Sequence, residues 1–265
     1  MNIIELSEKE TPKKNRFFNP FVGKEYHKGI KNDIKLLVLG ASHYCKYNDI
    51  KKGFNCPYWE KCTDLSNKDS SEFNSSCPYN KQKNPNQLLE DSSIEEINTY
   101  IEGGENTSYN NFFNFLGDYF NIDYSNINNR NALCDRLAFT NYVQFFTKTN
   151  TQEIEKEDLR PFTALIQTIE ELKPDIIIAW GCQIKKHFDK IRRQIQDHFT
   201  QKIKLIPDKK DCYFWDLEYN NQKIKIINPY HPCDYVPGPR ENKGYWSNNL
   251  ENFRSKMDII FTPQK

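Results

Sequence analysis

The sequence predicts an α/β fold, with three α-β-α layers around a central four-stranded, mainly parallel sheet. Short apolar segments alternate along the chain with segments whose apolar residues recur at helical spacing. This alternation is typical of parallel strands joined by helices that cover both faces of a sheet. The length of 265 residues suits one large domain of this class.

The strands are predicted from short apolar runs that end at small or polar residues. The first run ends at Gly40, a later one ends at Gly181, and the last ends at Asn228 before a proline. Strands are therefore expected at Ile34–Leu39, at the start of Leu137–Phe146, where the strand runs into a loop near Asn141, at Asp175–Gly181 and, as two or three strands, over residues 202–227.

The helices are predicted from apolar residues that recur every three or four positions. One lies in a phenylalanine-rich segment, another is stopped by Pro174, and a third is the amphipathic segment after Gly181. Helices are therefore expected at Asn110–Phe120, Thr163–Leu172, Cys182–Phe199 and Asn248–Ile259.

The domain is expected to carry a polar leader and a long insert. Residues 1–33 are polar and turn-rich, so we interpret them as a leader to a single domain over residues 34–265. Residues 45–107 hold four of the eight cysteines and show little periodicity before Ile94. Because so long a loop in a compact domain is normally functional or disordered, we interpret residues 45–107 as an insert.

Polar and aromatic residues follow the four predicted strands where each strand ends. The stretches are GASHYC, TNYVQ, AWGCQ and NPYHPC, in chain order. Because the carboxyl ends of parallel strands meet at one edge of a sheet, where ligands bind, these stretches are expected to line one crevice. The sequence therefore predicts a ligand site at this edge.

Three features of these stretches carry chemistry, and each also has a purely structural explanation. Gly40 and Ala41 allow a close backbone approach, although they also suit an ordinary turn. Asn141 offers a donor and an acceptor side by side, which matches the edge of a nucleobase, or it simply ends a strand. His231, held between prolines, could stabilise an anion or shuttle a proton, or lie in a rigid surface loop.

The cysteines of the insert form a candidate metal site. Four thiolates on one loop could bind Zn²⁺ or an iron–sulfur cluster and so order that loop. Their spacings of ten, five and fourteen residues do not match a zinc-ribbon pair, and reduced, unliganded cysteines are the alternative. The four are Cys45, Cys56, Cys62 and Cys77. The remaining four are scattered and are expected to be structural: Cys134, Cys182, Cys212 and Cys233.

The overall charge and hydropathy narrow the class of protein. A net charge of +1, from 37 basic and 36 acidic residues, does not by itself indicate a nucleic-acid-binding protein, although a local basic rim is enough to hold phosphates. No apolar run approaches the ~20 residues that cross a bilayer, and the N-terminus lacks a signal-peptide pattern. We expect a cytoplasmic monomer without membrane contact and without disulfides.

The order of these motifs resembles the uracil-DNA glycosylase superfamily over roughly Ile34–Ile260. The shared order is a strand followed by G-x-x-x-Y, a phenylalanine-rich helix, an apolar strand ending in Asn, and a strand ending in WG with a helix after it. The last motif is HP plus a small residue, before a proline-rich loop and a final helix. The insert at residues 45–107 is not part of the resemblance. Several branches of the family nevertheless carry a four-cysteine iron–sulfur cluster, with other spacings between the cysteines. It implies a glycosylase-like fold, DNA as the partner, and hydrolysis of an N-glycosidic bond that leaves an abasic site.

The resemblance also assigns roles to individual residues. Asn141 would pair with the extruded base, His231 would stabilise charge on the leaving base, and one of two phenylalanines would stack on the base. The base-binding set is Gly40, Ala41, Tyr44, Asn141, Phe112 and Phe113. Pro232 and Cys233 complete the last motif on the DNA side. Apart from the resemblance, the locally basic residues of the last loop and the leader are candidate phosphate contacts, with a solvated surface as the alternative: Arg240, Lys243, Lys13, Lys14 and Arg16.

The chain departs from the family at the position of the catalytic acid. Ser42 stands there and His43 follows it, so the predicted catalytic set is Ser42, His43 and His231. Ser42 would position a water and His43 would act as the base. This departure favours a deaminated, damaged or modified base over plain uracil, and modified bases in foreign DNA suggest the hypothesis of a defence factor.

Two other classes of function fit the same residues. The pocket could hold a base or DNA without cutting it, in which case Ser42 and His43 would support no turnover. Alternatively, the chain is a metal-stabilised interaction protein in which the cysteine insert matters and the pocket is a relic. Cleavage and metal content distinguish these alternatives from a glycosylase.

Overall fold

The structure, a computed structural model, describes residues 16–44, 92–147, 154, 158–198, 203–209, 213–229, 231–232 and 249–261. Its strands are β1 (Phe21–Val22), β2 (Leu36–Tyr44), β3 (Leu137–Thr147), β4 (Ile176–Ala179), β5 (Ile203–Pro207), β6 (Phe214–Tyr219) and β7 (Gln222–Ile227). Its α-helices are α1 (Ser92–Ile101), α2 (Thr107–Phe120), α3 (Ile127–Cys134), α4 (Arg160–Leu172), α5 (Cys182–His198) and α6 (Leu250–Phe261).

The strands form one mixed sheet in the order β1-β3-β2-β4-β7-β6-β5. The neighbours β3, β2, β4 and β7 run parallel, whereas β1, β6 and β5 join the sheet antiparallel. The predicted α/β class is confirmed. The sheet has seven strands in the described residues, however, and not the four that were predicted. The β6–β7 turn explains part of the difference, because Asn220 and Asn221 both adopt left-handed φ values, as in a tight antiparallel hairpin.

Helices cover both faces of the sheet, as predicted from the alternation of strands and helices. Along β2, Leu36 and Val38 pack into a core with α1, α2 and α6, while Leu37 and Leu39 pack into a second core with α4 and α5. Successive strand residues point to opposite faces, so a strand buried on both sides reads as a continuous apolar run.

Parts of the predicted leader and insert belong to these cores. Phe18 is fully buried and its backbone N–H donates to Gln144 Oε1 at 2.9 Å, just before β1 pairs with β3. In α1, Ile97 and Tyr100 are buried against the domain. Among the described helices, none combines the length and the apolar character that crossing a bilayer requires.

The strands β2 and β3 extend further than the sequence predicts. The segment Gly40–Tyr44, expected as a turn, continues β2, and Asn141, expected at a strand end, lies inside β3. The register pairs Gly40 with Asn141 and shifts between Ser42 and His43. Because β4 stops at Ala179, opposite Leu39, the two longer strands project past it as a ribbon beside the carboxyl edge. The extra length of β2 and of β3 comes from their pairing with each other, and the pattern of one segment alone does not show such pairing.

Candidate functional site

Gly40 and Asn141 form one wall of the site through close packing across two strands. Asn141 is only 4% exposed, and its amide lies against the main chain of Gly40. A Cβ placed on Gly40 would lie 2.0 Å from Asn141 Oδ1 and 3.1 Å from Phe139 Cζ. Only glycine therefore allows this amide to sit where it does.

Trp180 forms an aromatic floor directly after β4. Its backbone N–H donates to the carbonyl of Leu39 at 2.8 Å, which joins the floor to β2. Its ring lies 5.3 Å from that of Tyr109, 4.8 Å from that of Phe112 and 5.4 Å from that of Phe139, between centroids. The indole Nε1 is buried without a hydrogen-bond partner among the described residues, and such a donor is normally matched by water or a ligand.

Asn228 fixes the loop that carries His231. Its buried side-chain Nδ2 donates to the carbonyls of Ala179 at 2.8 Å and Gly181 at 3.0 Å, so it joins the ends of β4 and β7. The Gly181 N–H donates to the carbonyl of Pro229 at 3.2 Å. These three bonds satisfy main-chain groups at two strand ends and hold the entry to the loop rigid.

Asn111 anchors the far side of the same loop. This residue lies on the second turn of α2, and its Nδ2 donates to the carbonyl of Pro232 at 2.8 Å. The His231–Pro232 segment is therefore held both from the sheet and from a helix, and the stiffness expected from its prolines is reinforced by side-chain amides.

His231 lies over Gly181 and edge-on to the floor. The position that a Cβ on Gly181 would occupy is 3.4 Å from His231 Cδ2, and the rings of Trp180 and His231 make a T-shaped contact at 6.1 Å. Gly181 has a φ of 86°, in the left-handed region that favours glycine. Desolvation by the surrounding protein lowers the pKa of His231 from 6.5, although part of its side chain stays exposed.

A pH titration follows from this lowered pKa. In the unfolded chain His231 titrates near 6.5, so below that pH the unfolded state binds the proton more readily than the folded state. We therefore expect the free energy of unfolding to fall as the pH drops through the window just below 6.5, and His231→Gln to lose that part of the pH dependence. The pKa of His231 in the folded protein is measured by following the histidine NMR signals against pH, and the signal that is missing in His231→Gln identifies His231. A titration midpoint above 6.5 would contradict the prediction.

Several predicted site residues lie elsewhere. Phe112 and Phe113 are fully buried and pack against Trp180, so neither ring has a face at the surface for a base to stack on. They support the floor from below because the helical spacing that made α2 predictable also turns them inward. Arg16 is 8% exposed and its guanidinium lies 2.8 Å from Glu171 Oε2, so this predicted phosphate contact is part of an ion pair.

Other predicted residues fall wholly or partly outside the described residues. For His43 and Tyr44 the strand backbone is described but not the side chain, whereas Ala41 packs against the core on the α4 and α5 side and Ser42 is half-buried. The residues outside the described part are Cys45, Cys56, Cys62, Cys77, Cys182 with respect to its side chain, Cys212, Cys233, Arg240, Lys243, Lys13 and Lys14.

The metal prediction stays a prediction. Within the described residues there is no group of three or more metal-ligating side chains, and the four cysteines of the insert are not among those residues. Cys134 is described, and burial raises the pKa of its thiol well above the usual range. A neutral, buried thiol of this kind suits the structural role expected for it.

Neither protein-family models nor curated proteins match this chain. Sequence reasoning missed two residues of the crevice, Asn111 and Asn228. The position of Asn228, between an apolar strand and a proline, was the available signal, whereas nothing in the local pattern distinguishes Asn111 from the other asparagines of α2.

Proposed function

We propose that this protein is a DNA glycosylase-like enzyme that hydrolyses the N-glycosidic bond of a deaminated, damaged or modified base and leaves an abasic site. The observation that carries the proposal is one chain of contacts at the carboxyl edge of the sheet. Asn141 lies against Gly40, the neighbouring Leu39 binds Trp180, and Trp180 contacts His231. This chain of contacts supports the proposal that the Asn141 amide reads a base and that the His231 imidazole acts at the same site.

The chemistry of these groups suits cleavage of a base from its sugar. An enzyme that acts on a base must extrude it from the stack, and the Asn141 amide offers the paired donor and acceptor that a base edge needs. The lowered pKa keeps His231 neutral near pH 7, and the N–H of a neutral imidazole can donate to a base that departs as an anion.

The bond changes are those of a simple hydrolysis. Water, positioned by the Ser42 hydroxyl, attacks C1′ of the sugar while the bond from C1′ to the base nitrogen breaks. The bonding electron pair leaves with the base, whose negative charge His231 stabilises until the base takes up a proton released by the water. The four parallel neighbours β3, β2, β4 and β7 support the glycosylase-like core that the sequence resemblance implies.

Strand cleavage at abasic sites tests the proposal. Purified protein is incubated with single- and double-stranded DNA carrying uracil, other deaminated bases, and hydroxymethylated or glucosylated cytosine, and is then treated with alkali. We expect cleavage at one of these bases, with a loss of at least ~100-fold in rate in Asn141→Ala and in His231→Ala, the range for removing one preorganised donor. Asn110→Ala and His27→Ala are matched controls on α2 and on an exposed turn, and they are expected to cleave normally.

A base-binding module is the second candidate, and Ser42 is the observation that favours it. The strand segment Gly40–Tyr44 carries no carboxylate to activate water. If no base in the panel is cleaved but a nucleobase or DNA binds, and Asn141→Ala abolishes that binding, the crevice reads a base without excising it. Cleavage that persists in both site variants would contradict both candidates.

A further inference from the structure

A buried amide on β3 links the main chain of Asn141 to the leader. Gln144 is only 4% exposed and lies three residues after Asn141. Its Nε2 donates to the carbonyl of Asn141 at 2.5 Å and to Thr140 Oγ1 at 3.2 Å, while its Oε1 accepts the N–H of Phe18 at 2.9 Å. The Gln144 amide therefore uses its nitrogen and its oxygen entirely inside the protein.

The chemistry of these partners fixes the orientation of the Gln144 amide. A main-chain N–H can only donate and a main-chain carbonyl can only accept, so the amide oxygen faces Phe18 and the amide nitrogen faces Asn141. A carboxylate of the same shape could make only the bond to Phe18. The link from the leader to Asn141 thus requires an amide at this position.

Gln144 lies in an irregular part of β3. The register between β2 and β3 shifts directly after the Ser42–Val143 pair, and β3 holds two extra residues there, of which Gln144 is the first. A bulge of this kind bends a strand and interrupts its hydrogen-bond ladder. On the other side of β3, pairing with β1 reaches only as far as Phe139. The Gln144 side chain therefore supports the Asn141 main chain where regular strand pairing is incomplete.

The fit of the Asn141 side chain leaves little room for movement of the main chain. Its amide lies against Gly40 so closely that a Cβ there would be 2.0 Å from its oxygen. A binding group has to be held within ~0.5 Å by residues that themselves do not touch the ligand. The leader offers a fixed point for this purpose, because Phe18 is fully buried and Arg16 forms an ion pair with α4.

We propose that Gln144 is a positioning residue of the crevice, which ties the main chain of Asn141 to the leader and so keeps the Asn141 side chain against Gly40. The effect of Gln144 on base recognition rests on the proposed function, whereas its effect on the position of the Asn141 amide does not. The leader then supports the site and does more than precede the domain.

The test replaces Gln144 with glutamate, which has the same shape. At neutral pH the carboxylate of Gln144→Glu can still accept the N–H of Phe18, but it has no proton to donate to the carbonyl of Asn141. Burial beside that carbonyl disfavours the charged form, so the new carboxyl takes up a proton as the pH falls and regains a donor. Recovery in mild acid therefore identifies the lost donor as the cause of a defect seen at neutral pH.

Gln222→Glu is the matched control. The Nε2 of Gln222 also donates to a main-chain carbonyl, that of Pro174 at 2.7 Å, but it does so at the start of β7. NMR of asparagine-labelled protein follows the side-chain amide of Asn141, whose signals are those missing in Asn141→Ala. Compared with the wild type at the same pH, we expect these signals to move in Gln144→Glu at neutral pH, to return in mild acid, and to stay in place in Gln222→Glu. Unmoved signals in Gln144→Glu, or equal shifts in both variants, would overturn the proposal.

The DNA panel of the cleavage assay gives the functional measurement. Each variant is compared with the wild type at the same pH, so that the titration of His231 cancels. We expect Gln144→Glu to bind or cleave the recognised base at least ~10-fold less well at neutral pH, since a displacement of ~1 Å can cost ~100-fold, and to recover in mild acid. Gln144→Met has no donor at any pH and should not recover; if it does not fold, Gln144→Glu alone carries the test.

The two measurements separate this proposal from the proposed function. If the wild type recognises no base in the panel, the proposed function fails, and the Asn141 signals still decide whether Gln144 positions that amide. If the wild type recognises a base and Gln144→Glu does so equally well at neutral pH, Gln144 is not a positioning residue of the crevice.

Discussion

Replacing Gly40 with alanine is expected to remove base recognition while the protein stays folded. The new Cβ would lie 2.0 Å from Asn141 Oδ1, and the amide must swing away because the Cβ is fixed to the backbone of β2. Since the clash is with the end of a side chain, the free energy of unfolding should fall by only about 1–2 kcal/mol. Base affinity, or the rate of base release, should fall by ~100-fold or more, because the displaced amide no longer faces the base edge.

A double-mutant cycle makes this prediction specific to the pair. In an Asn141→Ala background the 2.0 Å clash disappears and only the 3.1 Å contact with Phe139 Cζ remains, so adding Gly40→Ala should cost little stability and no further activity. The cycle compares the wild type, the two single variants and the double variant. Denaturant unfolding gives the stability of each protein, and base binding or strand cleavage gives its activity. Additive losses would mean that Gly40 acts through something other than the position of the Asn141 amide.

The second large effect is expected from Asn228→Ala, and its main consequence should be a lower free energy of unfolding. The substitution leaves the buried carbonyls of Ala179 and Gly181 without their donor, and each unsatisfied group costs ~1–3 kcal/mol. We expect the free energy of unfolding to fall by about 2–4 kcal/mol. Because the loop carrying His231 then loses its link to the end of β4, the function of the crevice should fall as well.

Asn110→Ala is the matched control for this prediction. Its Nδ2 makes one half-buried hydrogen bond, to the carbonyl of Gly104, so its loss should cost about 0.5–1.5 kcal/mol and leave the crevice intact. Urea denaturation gives the free energy of unfolding of both variants. Base binding, measured without denaturant, reports whether the crevice of each variant is intact. Equal stabilities for the two variants would contradict the structural role assigned to Asn228.

The convergence of the crevice could be predicted from the sequence, whereas its inner geometry could not. Buried apolar runs that end in Gly, Asn or Pro identify strand ends, and the topology of a parallel sheet then brings those ends together. This reasoning picked out Gly40, Asn141 and His231 at predicted strand ends, and their role as a binding site stays a prediction. It could not show that Gly40 and Asn141 pack against each other, because that register depends on how far β2 and β3 pair beyond Leu39.

The errors in the prediction share a physical cause. Phe112 and Phe113 were assigned to stacking on a base, but helical spacing says only that a side chain lies on an apolar face, not whether a ligand reaches it. Likewise, the mixed sheet was underestimated because β1 has only two residues and pairs with β3 through contacts distant in the chain. Whether such a short segment forms a strand depends on pairing with a distant part of the chain, and the local sequence pattern says little about that pairing.

The early end of β4 has a consequence for how the crevice recognises anything placed in it. Strand pairing on that side of β2 stops at Leu39, whereas pairing with β3 continues to Tyr44, so within the described residues the main chain of Gly40–Tyr44 has a strand neighbour on one side only. On the side of β2 away from β3, the peptide N–H and C=O groups of this segment have no strand partner within the described residues and can act as a row of donors and acceptors. A row of this kind reads the shape and polarity of a partner independently of side-chain identity. Under the proposed function, such a row would contact a bound base whatever residue stands at position 42, so Ser42 would change the chemistry of the crevice and leave this contact in place.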